Sequence, residues 1–276
     1  MMEQLALVSL ATALVALAAN AWLWKKLHGH SLRQRRQTLA VTALRGQIAT
    51  ISRAALHAEV RVRCGERGAA AVSHAQHGEE YFLWGRCGFK PKGVFIEIGA
   101  YDGSTLSNSL FFEQIGWRGM LVEAHPDLAA QCRRSRPEAL VVHAALGTRD
   151  GGETTFSMVR GTSGHDTLSF VSADGRHLRR ITAQGGTIEA VTVPARTLRG
   201  LVAQHGLEDV DWISIDVEGA ELEVLKGAGL GTFKPGLLLI EDNSRGASSA
   251  VRDYVGQFGY TRVMRIGCND LYERGA

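Results

Sequence analysis

Residues 94–105 read VFIEIGAYDGST, and this stretch decides the fold of the chain. The first five residues are apolar except for Glu97 and predict a buried β-strand, and Gly99 and Gly103 then allow a tight turn. In an open α/β sheet the ligand lies beyond the carboxyl ends of the strands, so this turn is where a ligand is expected. The spacing G-x-x-x-G departs from the G-x-G-x-x-G pattern of dinucleotide-binding turns.

Strands and helices alternate after this turn. Further apolar runs predict strands at Gly119–Glu123, Leu140–His143, Trp212–Asp216 and Leu237–Glu241. Helical patterns fall between the strands, at Ser104–Ile115, Pro126–Ser135, Leu198–His205 and Glu221–Gly227. Because parallel strands covered on both faces are apolar throughout, the pattern predicts a Rossmann-like α/β fold with a doubly wound, mostly parallel sheet.

Residues 149–195 interrupt this alternation. The runs GGETTFSMV from Gly151, TLSFVSADG from Thr167 and GTIEAVTVPA from Gly186 predict hairpin strands around glycine-rich turns. We interpret the segment as a β-rich insertion on the body of the protein.

The charge of the first turn indicates which cofactor it binds. Glu97 and Asp102 would repel a pyrophosphate, whereas they would attract the ammonium and sulfonium groups of S-adenosylmethionine (SAM). Glu123 ends the second predicted strand, about twenty residues later, where an acid receives ribose hydroxyls in nucleotide-binding sheets. The amides near Ser104 and Thr105, at the start of the predicted helix, would suit the ligand's carboxylate. The alternative for these acids is a role as surface residues or helix caps.

Four more carboxylates follow two of the predicted strands. Asp216 and Glu218 come after one strand, and Glu241 and Asp242 lie at the end of the next. Such a group could raise the pKa of one acid for use as a base toward a hydroxyl acceptor, or hold a divalent cation such as Mg²⁺. We predict catalytic roles for Asp216 and Glu218, and a metal site of Asp216, Glu241 and Asp242. For Glu218 the alternative is a helix cap.

The N-terminal segment has the pattern of a membrane anchor. Residues 5–24 carry no charge and, at about 1.5 Å per helical residue, would cross a hydrocarbon layer of roughly 30 Å. Trp22 and Trp24 fall where an interfacial aromatic belt would lie. We predict a transmembrane anchor at residues 1–24, with a cleaved signal peptide or a buried core helix as the alternatives.

A basic segment follows the predicted anchor. Residues 25–67 carry ten Lys and Arg against two Glu, a net charge of +8 in a chain of +3, so the rest sums to about −5. By the positive-inside rule the body is cytoplasmic, and the basic residues favour an anionic membrane over nucleic acid as partner. We predict a juxtamembrane helix and linker at residues 25–75, with a solvated spacer arm as the alternative to the helix. The four widely spaced cysteines predict unpaired thiols and no metal cluster.

Four stretches together resemble the FkbM family of SAM-dependent methyltransferases. They are QHGEEYFLW from Gln76, VFIEIGAYDGSTLSNSLFFEQIGWRGMLVEAHP from Val94, HAALG from His143 and DWISIDVEGAELEVLKG from Asp211. The first is similar to the family's Q-x-G-E-D opening, and the last to its I-D-V-E-G-x-E-x-x-V-L-x-G signature. The resemblance spans about residues 76–260, and implies a methyltransferase domain at residues 76–276.

The resemblance implies a class I methyltransferase fold with Asp216 beside the reacting end of SAM. The implied cofactor contacts are Glu97, Gly99, Ala100, Asp102, Gly103, Glu123, Ala144 and Asp216. Because family members commonly methylate oxygen, the expected reaction is O-methylation of a sugar hydroxyl in a glycan, glycolipid or secondary metabolite. A non-catalytic SAM-binding module at the membrane and an NAD-dependent oxidoreductase are the alternatives, and the acidic turn disfavours the latter.

The chain departs from the family pattern at two places. Glu80 stands where Asp is usual, and Ala124-His125-Pro126 replaces a frequent P-N-P. We expect His125 to alter the adenine side of the pocket. His125 and His165 are secondary candidates for the base, with surface or capping roles as the alternative.

Overall fold

The structure is a computed structural model that describes residues 39–275 except 41, 45, 49, 67, 162–167, 172–178, 180, 208 and 245. The chain divides into two compact units, Met1–Ala49 and Thr50–Ala276. The predicted anchor at residues 1–24 and the base candidate His165 lie outside the described residues. Within the described residues, the helices are all too short or too polar to span a bilayer.

Among its described residues, the second unit contains ten strands and seven helices of six or more residues, and residues 181–183 are also helical. The strands are β1 (Val94–Ile98), β2 (Arg118–Glu123), β3 (Leu140–His143), β4 (Ala145–Leu146), β5 (Glu153–Arg160), β6 (Thr187–Arg196), β7 (Trp212–Ile215), β8 (Leu237–Glu241), β9 (Tyr260–Ile266) and β10 (Asn269–Arg274). The helices are α1 (50–66), α2 (Glu79–Arg86), α3 (Leu110–Ile115), α4 (Pro126–Ser135), α5 (Leu198–His205), α6 (Glu221–Ala228) and α7 (Ala250–Gly256).

Seven of the strands form one sheet in the order β3-β2-β1-β7-β8-β10-β9. The first five of these are parallel, and β10 runs antiparallel to both of its neighbours. The predicted α/β fold with a mostly parallel sheet is therefore confirmed. All five predicted strands are present, with bounds that differ by at most one residue.

Apolar side chains alternate between the two faces of this sheet, as the twofold periodicity of a strand requires. Ile96 and Ile213 face a core layer with α5, α6 and α7. Phe95 and Trp212, whose rings stack at 5.4 Å, face the layer that contains α1, α2 and α3. The helices on both faces explain why the strands are apolar throughout.

Part of the predicted juxtamembrane segment packs on the body. Leu56 and Val60 of α1 are 0% and 1% exposed, and they share a core cluster with Leu83 and Trp84 of α2. The basic residues of α1 therefore lie on a helix that is fixed to the second unit.

The predicted β-rich insertion is confirmed. β5 and β6 pair antiparallel over eight residue pairs, and β4 joins β6 to give a three-stranded sheet. Of the middle predicted run, Phe170 bridges Ser157 through two backbone hydrogen bonds of 2.8 and 3.0 Å.

The predicted start of the helix at Ser104 is wrong, because α3 begins only at Leu110. Residues 104–109 form a loop instead, and the side chain of Glu97 accounts for it, as described below. The elements α2, α7, β9 and β10 were not predicted from the sequence.

Candidate active site

A cleft of about 250 Å³ opens at the carboxyl ends of the central strands, where the topology predicts it. Five carboxylates line the cleft, and no lysine, arginine or histidine among the described residues joins them. These acids are Glu97, Glu123, Asp216, Glu218 and Glu241. Apolar side chains complete the walls, among them Val122, Leu128, Leu146 and Phe156. The cleft therefore has a strongly negative lining with an apolar section beside it.

Glu123 stands at the end of β2, beside the turn that follows β1. Its Oε2 accepts a hydrogen bond from the amide of Tyr101 at 2.9 Å, and its Oε1 accepts one from the amide of His125 at 2.8 Å. Burial raises the pKa of Glu123 to about 7, and the charge of Asp216 adds to this, although the backbone hydrogen bonds oppose it. Glu123 is thus held rigidly in the place predicted for a ribose-binding acid.

Glu97 explains why α3 starts late. Its carboxylate accepts hydrogen bonds from the hydroxyls of Ser107 and Ser109 at 2.9 and 2.6 Å, and from the amide of Asn108 at 2.7 Å. These bonds hold residues 104–109 against the end of β1 in a non-helical conformation. Glu97 both lines the cleft and fixes the loop that forms one of its walls.

Asp102 closes its own turn. Its Oδ1 accepts hydrogen bonds from the amides of Ser104 and Thr105 at 2.8 and 2.7 Å. The sequence predicted that these amides face the ligand's carboxylate, but they are bonded to Asp102 instead. Although burial acts in the opposite direction, the hydrogen bonds from Thr105 and Ser104 lower the pKa of Asp102. Asp102 and Gly103 lie outside the cleft lining, whereas Gly99, Ala100 and Ala144 belong to it.

Gly99 brings the first turn against the strand that carries Asp216. Its φ is 83°, and a Cβ atom at this position would overlap the carbonyl oxygen of Asp216. The amide of Asp216 in turn donates to the carbonyl of Ile98 at 3.0 Å. Only glycine allows this close approach, which places Asp216 next to the turn that follows β1.

Asp216, Glu218 and Glu241 form one group at the ends of β7 and β8. Each contributes a carboxylate oxygen, and these oxygens lie within 4.8 Å of one another. Burial raises the pKa of Asp216 to about 6, opposed by a hydrogen bond with Glu241. Burial and the charges of Asp216 and Glu218 raise the pKa of Glu241 much further. At neutral pH, Asp216 and Glu241 therefore share one proton.

The structure does not bring Asp242 into this group, so the predicted metal site is corrected. Asp242 accepts from Arg265 Nη1 at 2.7 Å and from the amides of Ser244 and Gly246 at 2.9 and 2.7 Å. Its carboxylate stabilises the loop after β8. Glu218 occupies the place in the acidic group that the sequence interpretation gave to Asp242.

Glu218 has a left-handed backbone with φ of 52°, which is uncommon for a residue with a side chain. Ala220 is the N-cap of α6, and the turn before this helix is held by Glu221, whose Oε1 accepts from the amides of Gly219 and Val217 at 2.9 and 3.3 Å. Glu218 is therefore directed into the acidic group by a turn that Glu221 holds.

Arg136 is a buried residue that sequence reasoning missed. It is 0% exposed, donates from Nη1 to the carbonyl of Gly103 at 2.8 Å and pairs with Glu113 at 2.8 Å. A further bond from Nη2 reaches the hydroxyl of Ser109 at 3.2 Å. Arg136 therefore stabilises the loop of residues 104–109, which Glu97 also holds. Its position before Pro137, at the end of α4, gave no sign of this role.

His125 begins α4. Its Nδ1 accepts from the amide of Asp127 at 3.2 Å, and its ring lies edge-on to Phe156 with centroids 6.4 Å apart. His125 is buried and outside the cleft lining, which disfavours it as the base. Phe156 does line the cleft, so an effect of His125 on the adenine side would act through that ring.

A sequence profile of the methyltransferase FkbM domain matches residues 97–261. The chain belongs to this family. The match includes the five carboxylates of the cleft and the strands from β2 to β8. SAM is the cofactor implied for an FkbM methyltransferase. Contact between SAM and the individual residues named above stays a prediction. No curated protein sequence is significantly similar to the chain.

Solved methyltransferase structures show only distant similarity to this FkbM methyltransferase. Precorrin-6y C5,15-methyltransferase from Geobacter metallireducens has a TM-score of 0.39 at 11% identity, covering 72% of this chain and 88% of its own. SAH-bound methyltransferase PaMTH1 from Podospora anserina scores 0.36 at 12% identity, covering 82% and 88%. A SAM-dependent methyltransferase from Thiobacillus denitrificans, in complex with S-adenosyl-L-homocysteine (SAH), scores 0.33 at 10% identity, covering 75% and 71%. Similarity of this extent says nothing about the methyl acceptor.

We expect SAM to bind more tightly as the pH rises through about 7. Glu123 must be ionised to accept ribose hydroxyls, and its pKa of about 7 means that binding at lower pH displaces a proton. Isothermal titration at pH 6 and pH 8 should show affinity about tenfold higher at pH 8. Glu123→Gln should bind SAM more weakly and lose most of this pH dependence; an unchanged pH profile in that variant would contradict the assignment.

Proposed function

We propose that this protein transfers a methyl group from SAM to a sugar hydroxyl of a glycan, glycolipid or secondary metabolite. The observation that carries the proposal is the lining of the cleft, where five carboxylates meet and no cationic side chain of the described residues offsets them. A negative lining attracts a sulfonium and repels a pyrophosphate, so it favours SAM over NAD. Membership of the FkbM family supports the same reaction class.

The described residues fit SAM at two places. Glu123, with one amide bond to each carboxylate oxygen, retains lone pairs for ribose hydroxyls. The apolar side chains Leu128, Leu146 and Phe156 line the cleft and suit an adenine ring. When bound, SAM supplies a methyl group on a positively charged sulfur, which is already a good leaving group.

Asp216 is the proposed base. The acceptor oxygen attacks the methyl carbon while the carbon–sulfur bond breaks, the bonding electrons remain on sulfur, and the hydroxyl proton passes to Asp216. With a pKa of about 6 and its partner Glu241 protonated, Asp216 is ionised at neutral pH and still basic enough to accept a proton. Glu241 holds Asp216 in place through their shared hydrogen bond.

Asp216→Asn should abolish turnover while SAM affinity falls only a few-fold, because the amide keeps the shape of the side chain and loses the base. We would measure transfer of radiolabelled methyl from SAM into the carbohydrate and lipid fractions of a cell extract, with SAM affinity determined by calorimetry. Exposed Asp209 offers the matched control, since Asp209→Asn should leave both unchanged. Full turnover by Asp216→Asn, or no labelled carbohydrate or lipid with active wild type, would contradict the proposal.

A divalent cation is the alternative means of neutralising the acidic group. Asp216, Glu218 and Glu241 offer carboxylate oxygens, the ligands that Mg²⁺ prefers, and the ion would acidify the acceptor hydroxyl there. The shared proton already compensates one charge, so we expect EDTA to leave the methylation rate within about twofold. A loss of activity that Mg²⁺ restores would favour the cation instead.

We also propose that residues 1–24 anchor the enzyme, with the body in the cytoplasm and the acceptor near the membrane. The uncharged run at residues 5–24 and the basic residues that follow it support this arrangement. Full-length protein should remain in the membrane pellet after alkaline carbonate extraction, and removal of residues 2–24 should release it. Recovery of a mature protein that starts near Ala21 would instead indicate a signal peptide.

A further inference from the structure

Gln76, in the segment of residues 73–78, lines a part of the cleft that has no role in the proposed methyl transfer. Gln76 lines the cleft together with Glu241 and Cys268. The segment precedes α2 and belongs to the stretch of sequence that resembles the opening of the family.

One buried carboxylate holds the first half of this segment. Glu80 is 0% exposed, and its Oε1 accepts from the amides of His74 and Ala75 at 2.7 Å each, with a further bond from the hydroxyl of Ser73 at 3.2 Å. A carboxylate is costly to bury unless it is hydrogen-bonded. Here those bonds fix the backbone just before Gln76.

A second buried carboxylate holds the other half. Glu79, also 0% exposed, accepts from the amide of His77 at 2.7 Å and from Nδ2 of Asn269 at 3.0 Å. The ring of His77 packs on Gly267, where a Cβ atom would overlap it. The segment is thereby attached to the turn between β9 and β10.

Gln76 stands between these two attachments. Arg53 donates to the carbonyls of Ala75 and Gln76 at 3.0 and 3.1 Å, which fixes the backbone from the side of α1. The side chain of Gln76 is exposed to solvent, and its Oε1 lies 4.0 Å from the Sγ of Cys268. A rigid backbone therefore presents a side-chain amide to the cleft that can still bind a ligand.

The strand order places this amide at the reacting end of the cleft. Asn269 pairs with Glu241 in the sheet, and the carbonyl of Cys268 accepts from the amide of Asp242 at 2.9 Å. Gln76 thus lies beside the end of β8. Glu123, the proposed ribose ligand, lies at β2, on the other side of β1 and β7.

Leu106 supplies an apolar surface next to Gln76. It lines the cleft, is 52% exposed and has a φ of 56°, a left-handed conformation that a branched side chain rarely adopts. Its backbone forms a parallel bridge with Ala75, which places Leu106 beside the segment that carries Gln76. Strained residues of this kind cluster at ligand-binding sites.

We propose that Gln76 and Leu106 form the acceptor subsite, and that the acceptor is an uncharged, hydroxyl-bearing ring. The amide of Gln76 would hydrogen-bond ring hydroxyls while Leu106 packs on the C–H face of the ring. Asp216, Glu218 and Glu241, which lie at this end of the cleft, disfavour an anionic group there. This inference rests on the proposed function and adds to it the residues that select the acceptor.

Saturation-transfer NMR on the full-length protein with saturating SAH tests the subsite. The probes are methyl α-D-glucopyranoside and methyl α-L-rhamnopyranoside, with D-glucuronate as the anionic comparison. We expect signals from both neutral glycosides, weaker signals from glucuronate, and a loss of about three- to tenfold for the neutral probes in Gln76→Ala. Gln131→Ala, an exposed glutamine on α4, is the matched control and should behave like wild type.

Calorimetry with SAH, run on the same samples, separates this inference from the proposed function. Protein that does not bind SAH would overturn both. Protein that binds SAH but shows no neutral glycoside signal, binds glucuronate equally well, or is unaffected by Gln76→Ala would overturn the acceptor subsite alone.

Discussion

The main physical constraint on this structure is the electrostatic repulsion among the carboxylates that line one cleft. Two unit charges about 4 Å apart repel by about 4 kcal/mol near a protein surface, and three acids here have oxygens within 4.8 Å. The fold compensates part of this charge with backbone amides at Glu123 and part with a proton shared between Asp216 and Glu241. A ligand with a positive charge completes the compensation, which is why the arrangement favours a sulfonium.

Much of the surrounding architecture serves to hold these acids in place. Gly99 lets the first turn approach Asp216, and the hydroxyls around Glu97, braced by Arg136, replace the first turns of a helix with a rigid loop. On the opposite wall, the buried Glu79 and Glu80 fix the segment that carries Gln76. Buried acids thus serve in this protein as fixed hydrogen-bond acceptors for loops on both walls of the cleft.

The sequence predicted the structure correctly where a single pattern, such as a continuous apolar run, determines the local conformation. Apolar runs predicted the five central strands, and the alternation predicted the parallel sheet, because burial on both faces leaves a clear signal. The predicted helix start at Ser104 and the predicted metal-ligand role of Asp242 were wrong, because the local sequence there allowed more than one set of hydrogen bonds. The helical pattern after Ser104 could not show that Glu97 would accept hydrogen bonds from this loop. The position of Asp242 next to Glu241 could not show that Arg265 would bind Asp242. The contacts of Arg136 and of Gln76 depend on residues distant in sequence.

The most direct test of the account is a pair of calorimetric titrations of the full-length protein, one with SAM and one with NAD⁺. We expect saturable binding of SAM and no detectable binding of NAD⁺, because the cleft offers five carboxylates to the ligand and no cation among its described residues. Tight binding of NAD⁺ together with no affinity for SAM would contradict the central claim that the acids are there to receive positive charge.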